Sequence, residues 1–364
     1  MSKINLSAKK PSLLTAAPIS PKSQTGARPP HIYKINGTYY LLCAEGGTET
    51  NHSAVIFKSD SIKGPYVSWE KNPILTARDL PDDRSNPVTC TGHADFVQTQ
   101  NGEWFAVFLA CQPYLEGHFN TGRQTFLLPV TWENEWPVIL PPNTPVPLTV
   151  KNPNLPAGKA PAIPSTGNIA FTETFDSETL AARWIGLRVP TSTWYATSKT
   201  AKALYLEPRS DHFSGQGNPS FLAVRQQNND YECTVTLKAQ PATVDCIAGL
   251  VAFQNERSYY AVNVKTESGR LVEISIEQPA ARSGRGFRGG GEPTPPTILA
   301  TQKLQGNVAA IDIKIEGAGP VTRIYYRTGN GEFMQLGDDL ESSYLSTVSA
   351  GGFQGVTLGM FARN

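Results

Sequence analysis

The chain has little that would set up a long-range electric field. Its 364 residues carry 32 Lys and Arg against 31 Asp and Glu, a formal net charge of +1. Such a balance offers no general attraction for nucleic acid or an anionic membrane, so neither is expected as a partner. Cysteine is scarce: Cys43, Cys90, Cys111, Cys233 and Cys246 are odd in number, and none forms a CxxC pair. Their scatter argues against a zinc site or a disulfide framework and reads them as small buried apolar side chains. No apolar run is long enough to span a bilayer, and the opening MSKINLSAKKPSLLTAAPIS lacks the continuous apolar core of a signal peptide. The expected location is the cytoplasm, or outside the cell if the N-terminus is incomplete. Residues 1–27, rich in Ser, Pro, Lys and Ala without periodicity, read as a disordered lead-in.

What is present is turn chemistry between short apolar runs. Thirty-one glycines and twenty-nine prolines accompany strand-type runs that outnumber amphipathic helical ones, which predicts an all-β protein. His31 to Glu45 reads as strand, Asn36-Gly37 turn, strand, and runs into the glycine-rich Gly46-Gly47-Thr48. Thr91 to Ala110 repeats the grammar, with Gln100, Asn101 and Gly102 at the reversal and Gly92, His93 and Asp95 placed just before the first strand. Between them, Ser53 to Ser59 runs toward Gly64-Pro65-Tyr66, and Asn72-Pro73-Ile74-Leu75 suits an edge or a crossover. Two like hairpins beginning about sixty residues apart suggest a repeated sheet unit, as in propeller blades of about 40 to 50 residues.

The blocks PHIYKINGTYYLL, AEGGT, GHADFVQTQNGEWF and GRQTFLLPVTWENEWPV carry a more specific signal. In order and spacing they resemble the second half of the five-bladed β-propeller of glycoside hydrolase family 43, in its β-xylosidase and α-L-arabinofuranosidase group, over about Pro30 to Leu140. The resemblance implies an inverting glycosidase that hydrolyses O-glycosyl bonds in xylo-oligosaccharides or arabinoxylan, with no required cofactor. One carboxylate activates water while a protonated carboxyl assists the leaving sugar, the two standing about 6.5 to 9.5 Å apart to admit that water.

At the general-acid position this sequence departs from the family. Where the family has Glu-Gly-Pro before the histidine, this chain has Arg28-Pro29-Pro30, and an arginine does not deliver a proton near neutral pH. The base and the aspartate that tunes the acid lie in the family's first two blades, and only 27 residues precede the match. Residues 28–147 therefore read as a partial propeller, with little or no hydrolysis expected from this chain alone. By resemblance, His93 corresponds to the histidine at the propeller axis, near a bound metal that is calcium where present. Arg123 corresponds to the arginine that holds the base carboxylate and sugar hydroxyls, a task suited to a planar guanidinium. Glu45 and Thr48 correspond to pocket-lining residues. For all four the alternative is a hydrogen-bonded structural role; Asp95 is read as structural, and His31 as a positioner of its strand.

Residues 148–168, preceded by the proline-spaced 141–147, read as a semi-rigid linker. Beyond it, 169–364 shows short strands at Leu204–Glu207, Phe221–Val224, Tyr231–Leu237, Ala248–Phe253, Tyr259–Val264 and Ile311–Ile315. Alternation in several of them predicts a sandwich whose sheets have one wet face and one core face. The run RSGRGFRGGG, residues 282–291, reads as a loop insertion, with an RGG-type RNA segment as the alternative. Phe171, Phe175-Asp176 and Arg183-Trp184, then GLVAFQNERSYYAV and GGFQGVTLGMFA, resemble the concanavalin A-like β-sandwich (jelly roll) of the same β-xylosidases. The resemblance implies that Phe353 reaches the sugar pocket; a core position is its alternative. Trp184 and Trp194 are expected to pack within the sandwich. A non-catalytic carbohydrate-binding or oligomerisation module, with homo-oligomer formation, stands as the alternative to a glycosidase.

Overall fold

The structure is a computed structural model that describes residues 30–164, 166–189, 192–280 and 295–364. The lead-in of residues 1–27, Arg28 and the run 282–291 lie outside the described residues. Two compact units make up the rest: the first comprises the residues up to Pro113 and Arg123–Lys159, the second Tyr114–Gly122 and Ala160–Asn364. The division after Lys159 falls inside the stretch read as a linker, while the assignment of Tyr114–Gly122 to the second unit has no signal in the sequence.

The first unit begins with β1 (His31–Ile35) and β2 (Thr38–Glu45), joined as the sequence predicts by Asn36 and Gly37, both left-handed at φ 51 and 92. Two consecutive residues of that kind match the twist of the flanking strands, which is why Asn-Gly specifies a tight hairpin. β3 (Ser53–Ser59), β4 (Val67–Ser68) and β5 (Leu75–Thr76) complete a five-stranded sheet ordered β1-β2-β3-β4, with β5 also on β3. β6 (Thr89–Gln98), β7 (Trp104–Cys111) and β8 (Gln124–Pro129) form a second, three-stranded sheet, and β9 (Thr131–Glu133) pairs with β10 (Trp136–Val138). Leu42, Ala54 and Ile56 from the first sheet meet Ala94, Phe96, Ala106 and Phe108 from the second in one buried cluster. Alternate residues of β2 supply that face, as a two-residue period requires.

The second unit holds β11 (Ile185–Gly186), β12 (Tyr195–Ser198), β13 (Ala203–Leu206), β14 (Ser220–Arg225), β15 (Tyr231–Lys238), β16 (Cys246–Asn255) and β17 (Ser258–Glu267). They are followed by β18 (Arg270–Gln278), β19 (Thr297–Val308), β20 (Ala310–Ala318), β21 (Val321–Thr328), β22 (Met334–Gln335) and β23 (Leu340–Glu341). A four-residue helix, α1 (Thr347–Ala350), precedes β24 (Thr357–Arg363). A seven-stranded sheet ordered β11-β14-β24-β16-β17-β18-β19 faces a five-stranded one built on β15-β20-β21-β22. Leu250, Val262 and Ile274 pack against Ile313, Ile315 and Ile324 to form the core of this sandwich.

The expectation of one wet face per sheet holds for the five-stranded sheet, whose β15 alternates strictly between half-buried and exposed positions. It fails for the seven-stranded sheet. The first seven residues of β17 are all buried, because a second cluster covers the opposite face: Phe213 sits among Phe221, Phe253, Tyr259 and Phe361. At the margin of that cluster Glu277, 1% exposed, accepts hydrogen bonds from Tyr259 Oη at 3.0 Å, Asn263 Nδ2 at 2.9 Å and an Arg363 guanidinium nitrogen at 2.6 Å. His212 Nε2 lies 3.4 Å from Oε1, the oxygen that Tyr259 also reaches. Burial works against the charge, yet the nearby His212 ring nitrogen and the Arg363 charge outweigh it and hold this carboxyl down at about 2. Trp194 is buried and Trp184 half-buried, its indole N–H donating to Glu173 at 3.1 Å, so both pack within this unit as expected.

Candidate functional site

His93 does not precede the strand, as the sequence suggested; it lies inside it. β6 starts at Thr89 and pairs with β7 through two irregularities, one between Thr89 and Gly92 and one between Gly92 and Asp95. Each contains one left-handed residue, Cys90 at φ 56 and His93 at φ 52. A bulge adds a residue to one strand, sharpens its twist and re-aims a side chain, so the polar GHAD cluster interrupts an apolar strand without burying its charges.

The second bulge brings β1 and β6 together. His93 and His31 meet edge to face with ring centroids 6.1 Å apart, and His31 Nδ1 is 2.7 Å from the Asp95 carboxylate. Tyr33, two positions along β1 from His31, donates its hydroxyl to Asp95 at 3.1 Å and accepts the Phe96 N–H at 3.0 Å. Burial first, then the Asp95 charge, pushes the Tyr33 phenol up to about 12 against the opposing pull of the Phe96 N–H. Asp95 and His31 therefore meet across β6 and β1, a contact that the sequence did not suggest, and Tyr33 is a third partner that it missed. Its position on the same strand face as His31 was the available signal.

The loop after β2 reaches the same strand. Glu45, half-buried, accepts from Ser53 Oγ at 3.3 Å and faces an Arg78 guanidinium nitrogen at 3.7 Å. Thr48 lies half-buried in the turn beyond it. Gly46 must be glycine, since a Cβ there would stand 1.9 Å from the Asn51 carbonyl oxygen. His52, fully buried, donates Nδ1–H to the Cys90 carbonyl at 3.0 Å and packs its ring where a Cβ on Gly92 would come within 2.6 Å. One buried imidazole thus anchors the Glu45–Thr48 loop to the first bulge of β6. Arg123, half-buried at the entrance to β8, lies close enough for its charge to act on Cys90 and Cys111. Glu45, Thr48, His93 and Arg123 therefore belong to segments gathered around β6. Phe353 belongs to the second unit, 54% exposed between α1 and β24, which is not a core position.

Among the described residues no group of three or more His, Cys, Asp or Glu side chains gathers as a metal ion needs. Calcium takes about six to eight oxygen ligands, and His93 offers a ring nitrogen. Among the described residues, His93 is therefore not joined by a cluster of carboxylates that would hold such an ion. No helix among them is long and apolar enough to cross a membrane.

Blade-type antiparallel sheets in one unit and a two-sheet sandwich in the other define an all-β protein of the propeller-and-sandwich class. Residues 4–137 match the description Glycosyl hydrolases family 43, and residues 172–364 match the Beta xylosidase C-terminal Concanavalin A-like domain. The chain belongs to glycosyl hydrolase family 43, in the group that carries this C-terminal domain. It is 30% identical to a xylosidase/arabinosidase of Butyrivibrio fibrisolvens over 92% of this chain and 60% of that protein. To a non-reducing end α-L-arabinofuranosidase of Bacteroides ovatus it is 33% identical, over 67% of this chain and 45% of the relative. A crystal structure of a GH43_12 protein from a capybara gut metagenome superposes with a TM-score of 0.78 at 34% identity, covering 93% of this chain and 60% of that one. The chain thus spans about three fifths, or less, of the length of these relatives.

Proposed function

We propose that the chain serves a glycosidase that hydrolyses the O-glycosyl bonds of β-xylosides or α-L-arabinofuranosides, and that its described residues recognise the terminal sugar of a xylo-oligosaccharide or arabinoxylan. The observation that carries this reading is the family match across both parts of the chain, with relatives named for these two sugars. Arg123 presents a planar set of donors to sugar hydroxyls or to a carboxylate that activates water. Glu45, next to Arg78, offers its carboxyl oxygens to hydroxyls, and His93, turned by its bulge, adds a ring nitrogen. An inverting displacement also needs the two opposed carboxyl groups, one of them protonated.

A second reading, a carbohydrate-binding or oligomerisation module without turnover, is favoured by Arg28-Pro29-Pro30, which stands where the family places its acid. Calorimetric titration with xylo-oligosaccharides and arabino-oligosaccharides, beside assays on nitrophenyl xyloside and arabinofuranoside, separates the two. Both require saturable binding that Arg123→Ala weakens at least tenfold; turnover selects the glycosidase, and its absence selects the module. Neither binding nor turnover by the folded chain would overturn the proposal.

A further inference from the structure

The thiols of Cys90 and Cys111 have no part in the site as described, yet the first bulge of β6 brings the two residues side by side. Cys111 ends β7 opposite Thr89, so in a regular ladder the next residue, Cys90, would point to the other face of the sheet. The backbone at Cys90 is instead left-handed, φ 56, inside the first irregularity of β6, and the two thiols lie close enough to act on each other's ionisation. Both are free, Cys111 is 1% exposed, and Cys90 is 8% exposed, so a small oxidant meets Cys90 first.

We propose that Cys90 and Cys111 are an oxidative modification site: a dithiol that a hydroperoxide converts into a disulfide bridging β6 and β7 beside Arg123. The Cys111 S–H donated to Cys90 lowers the Cys90 pKa more than burial raises it, with help from the Thr89 hydroxyl and the Arg123 charge. Cys111, the donor in that bond, is raised, so the thiolate forms at Cys90. The Cys90 thiolate attacks one peroxide oxygen and breaks the O–O bond, giving a sulfenic acid and, after protonation, water or an alcohol. The Cys111 sulfur then attacks the sulfenic sulfur, its proton leaves with the hydroxyl as a second water, and the S–S bond closes. Two thiols are oxidised and one peroxide is reduced. Cys43 and Cys233 serve as internal controls, because burial pushes both thiols up to about 11.

The experiment treats the folded full chain with hydrogen peroxide, alkylates the remaining thiols after denaturation, and maps the peptides by mass spectrometry. The expected result is an intact mass lower by two hydrogens, one Cys90–Cys111 cross-linked peptide, and alkylation of Cys43, Cys233 and Cys246. Dithiothreitol should restore all five thiols. In Cys111→Ser the same dose should give Cys90 sulfenic or sulfinic acid and no cross-link. Should that variant not fold, selective trapping of Cys90 by a sulfenic-acid reagent in the native chain at low peroxide serves instead. Wild-type protein in which Cys90 is alkylated like the control cysteines, or is overoxidised without a cross-link, would overturn the proposal.

Discussion

His31 Nδ1 lies 2.7 Å from the Asp95 carboxylate and ties the first strand of one sheet to the bulged strand of the next. Both side chains are partly open to water, at 38% and 54%, so the contact contributes little by itself. Exposed pairs are worth about 0.2–1 kcal/mol. Tyr33 serves the same junction but satisfies the Phe96 backbone N–H from a more sheltered position. Tyr33→Phe is therefore expected to cost about 1–2 kcal/mol, more than Asp95→Asn, in urea unfolding followed by fluorescence. The reverse order would mean that the charge, not the hydroxyl, holds the two strands together.

Gly92 is set against His52. An added Cβ would meet the ring at 2.6 Å, and the imidazole is fully buried with its Nδ1–H committed to Cys90. Gly92→Ala should thus force the loop of Glu45 and Thr48 off β6, at about 1–3 kcal/mol for an overpacked site. Hydrogen exchange should show faster exchange over 46–53 with the sandwich strands unchanged. Unaltered protection of that loop would contradict the anchoring role of His52.

Glu277 predicts an acid transition in the sandwich. Its carboxyl, ordinarily near 4.5, is held at about 2 in the folded chain, so the unfolded state takes up the proton first as pH falls. The resulting stabilisation is complete above the unfolded value and is lost between about pH 5 and pH 2, on the order of 3 kcal/mol. Thermal unfolding scans over that window should show the melting temperature falling with pH, and Glu277→Gln should flatten the dependence while lowering stability at neutral pH. A variant with the wild-type slope would assign the acid sensitivity to another group.

Phe213 tests the second core of the seven-stranded sheet. It is 1% exposed, with ring centroids 4.8 Å from Tyr259 and 5.0 Å from Phe361. Phe213→Ala should leave a cavity costing about 3–5 kcal/mol, read as a lower denaturation midpoint of the sandwich. A loss below about 1 kcal/mol would mean that the loop carrying it contributes little to folding.

Some of this was legible in the chain because it is local. Asn36-Gly37 fixes a hairpin through the left-handed preference of two adjacent residues, and the alternation of β15 and β20 declares a half-buried sheet without reference to any partner. The family blocks likewise carry His93, Arg123, Glu45 and Thr48 by position. β18, β19 and β21 escaped the reading because their apolar residues are broken by charge, and only pairing with neighbours makes them strands.

The sequence alone determined an all-β chain, its two principal parts and its glycosidase kinship, since turn residues, period-two patterning and motif order all act over short spans. The tertiary structure decided where the charges and thiols meet. Bulges arise from the register of two strands rather than the composition of one, so Cys90 beside Cys111 and His93 against His31 follow from pairing. Glu277 gains Tyr259, Asn263 and Arg363 only when β17, β18 and β24 are laid in one sheet, where burial makes each partner obligatory.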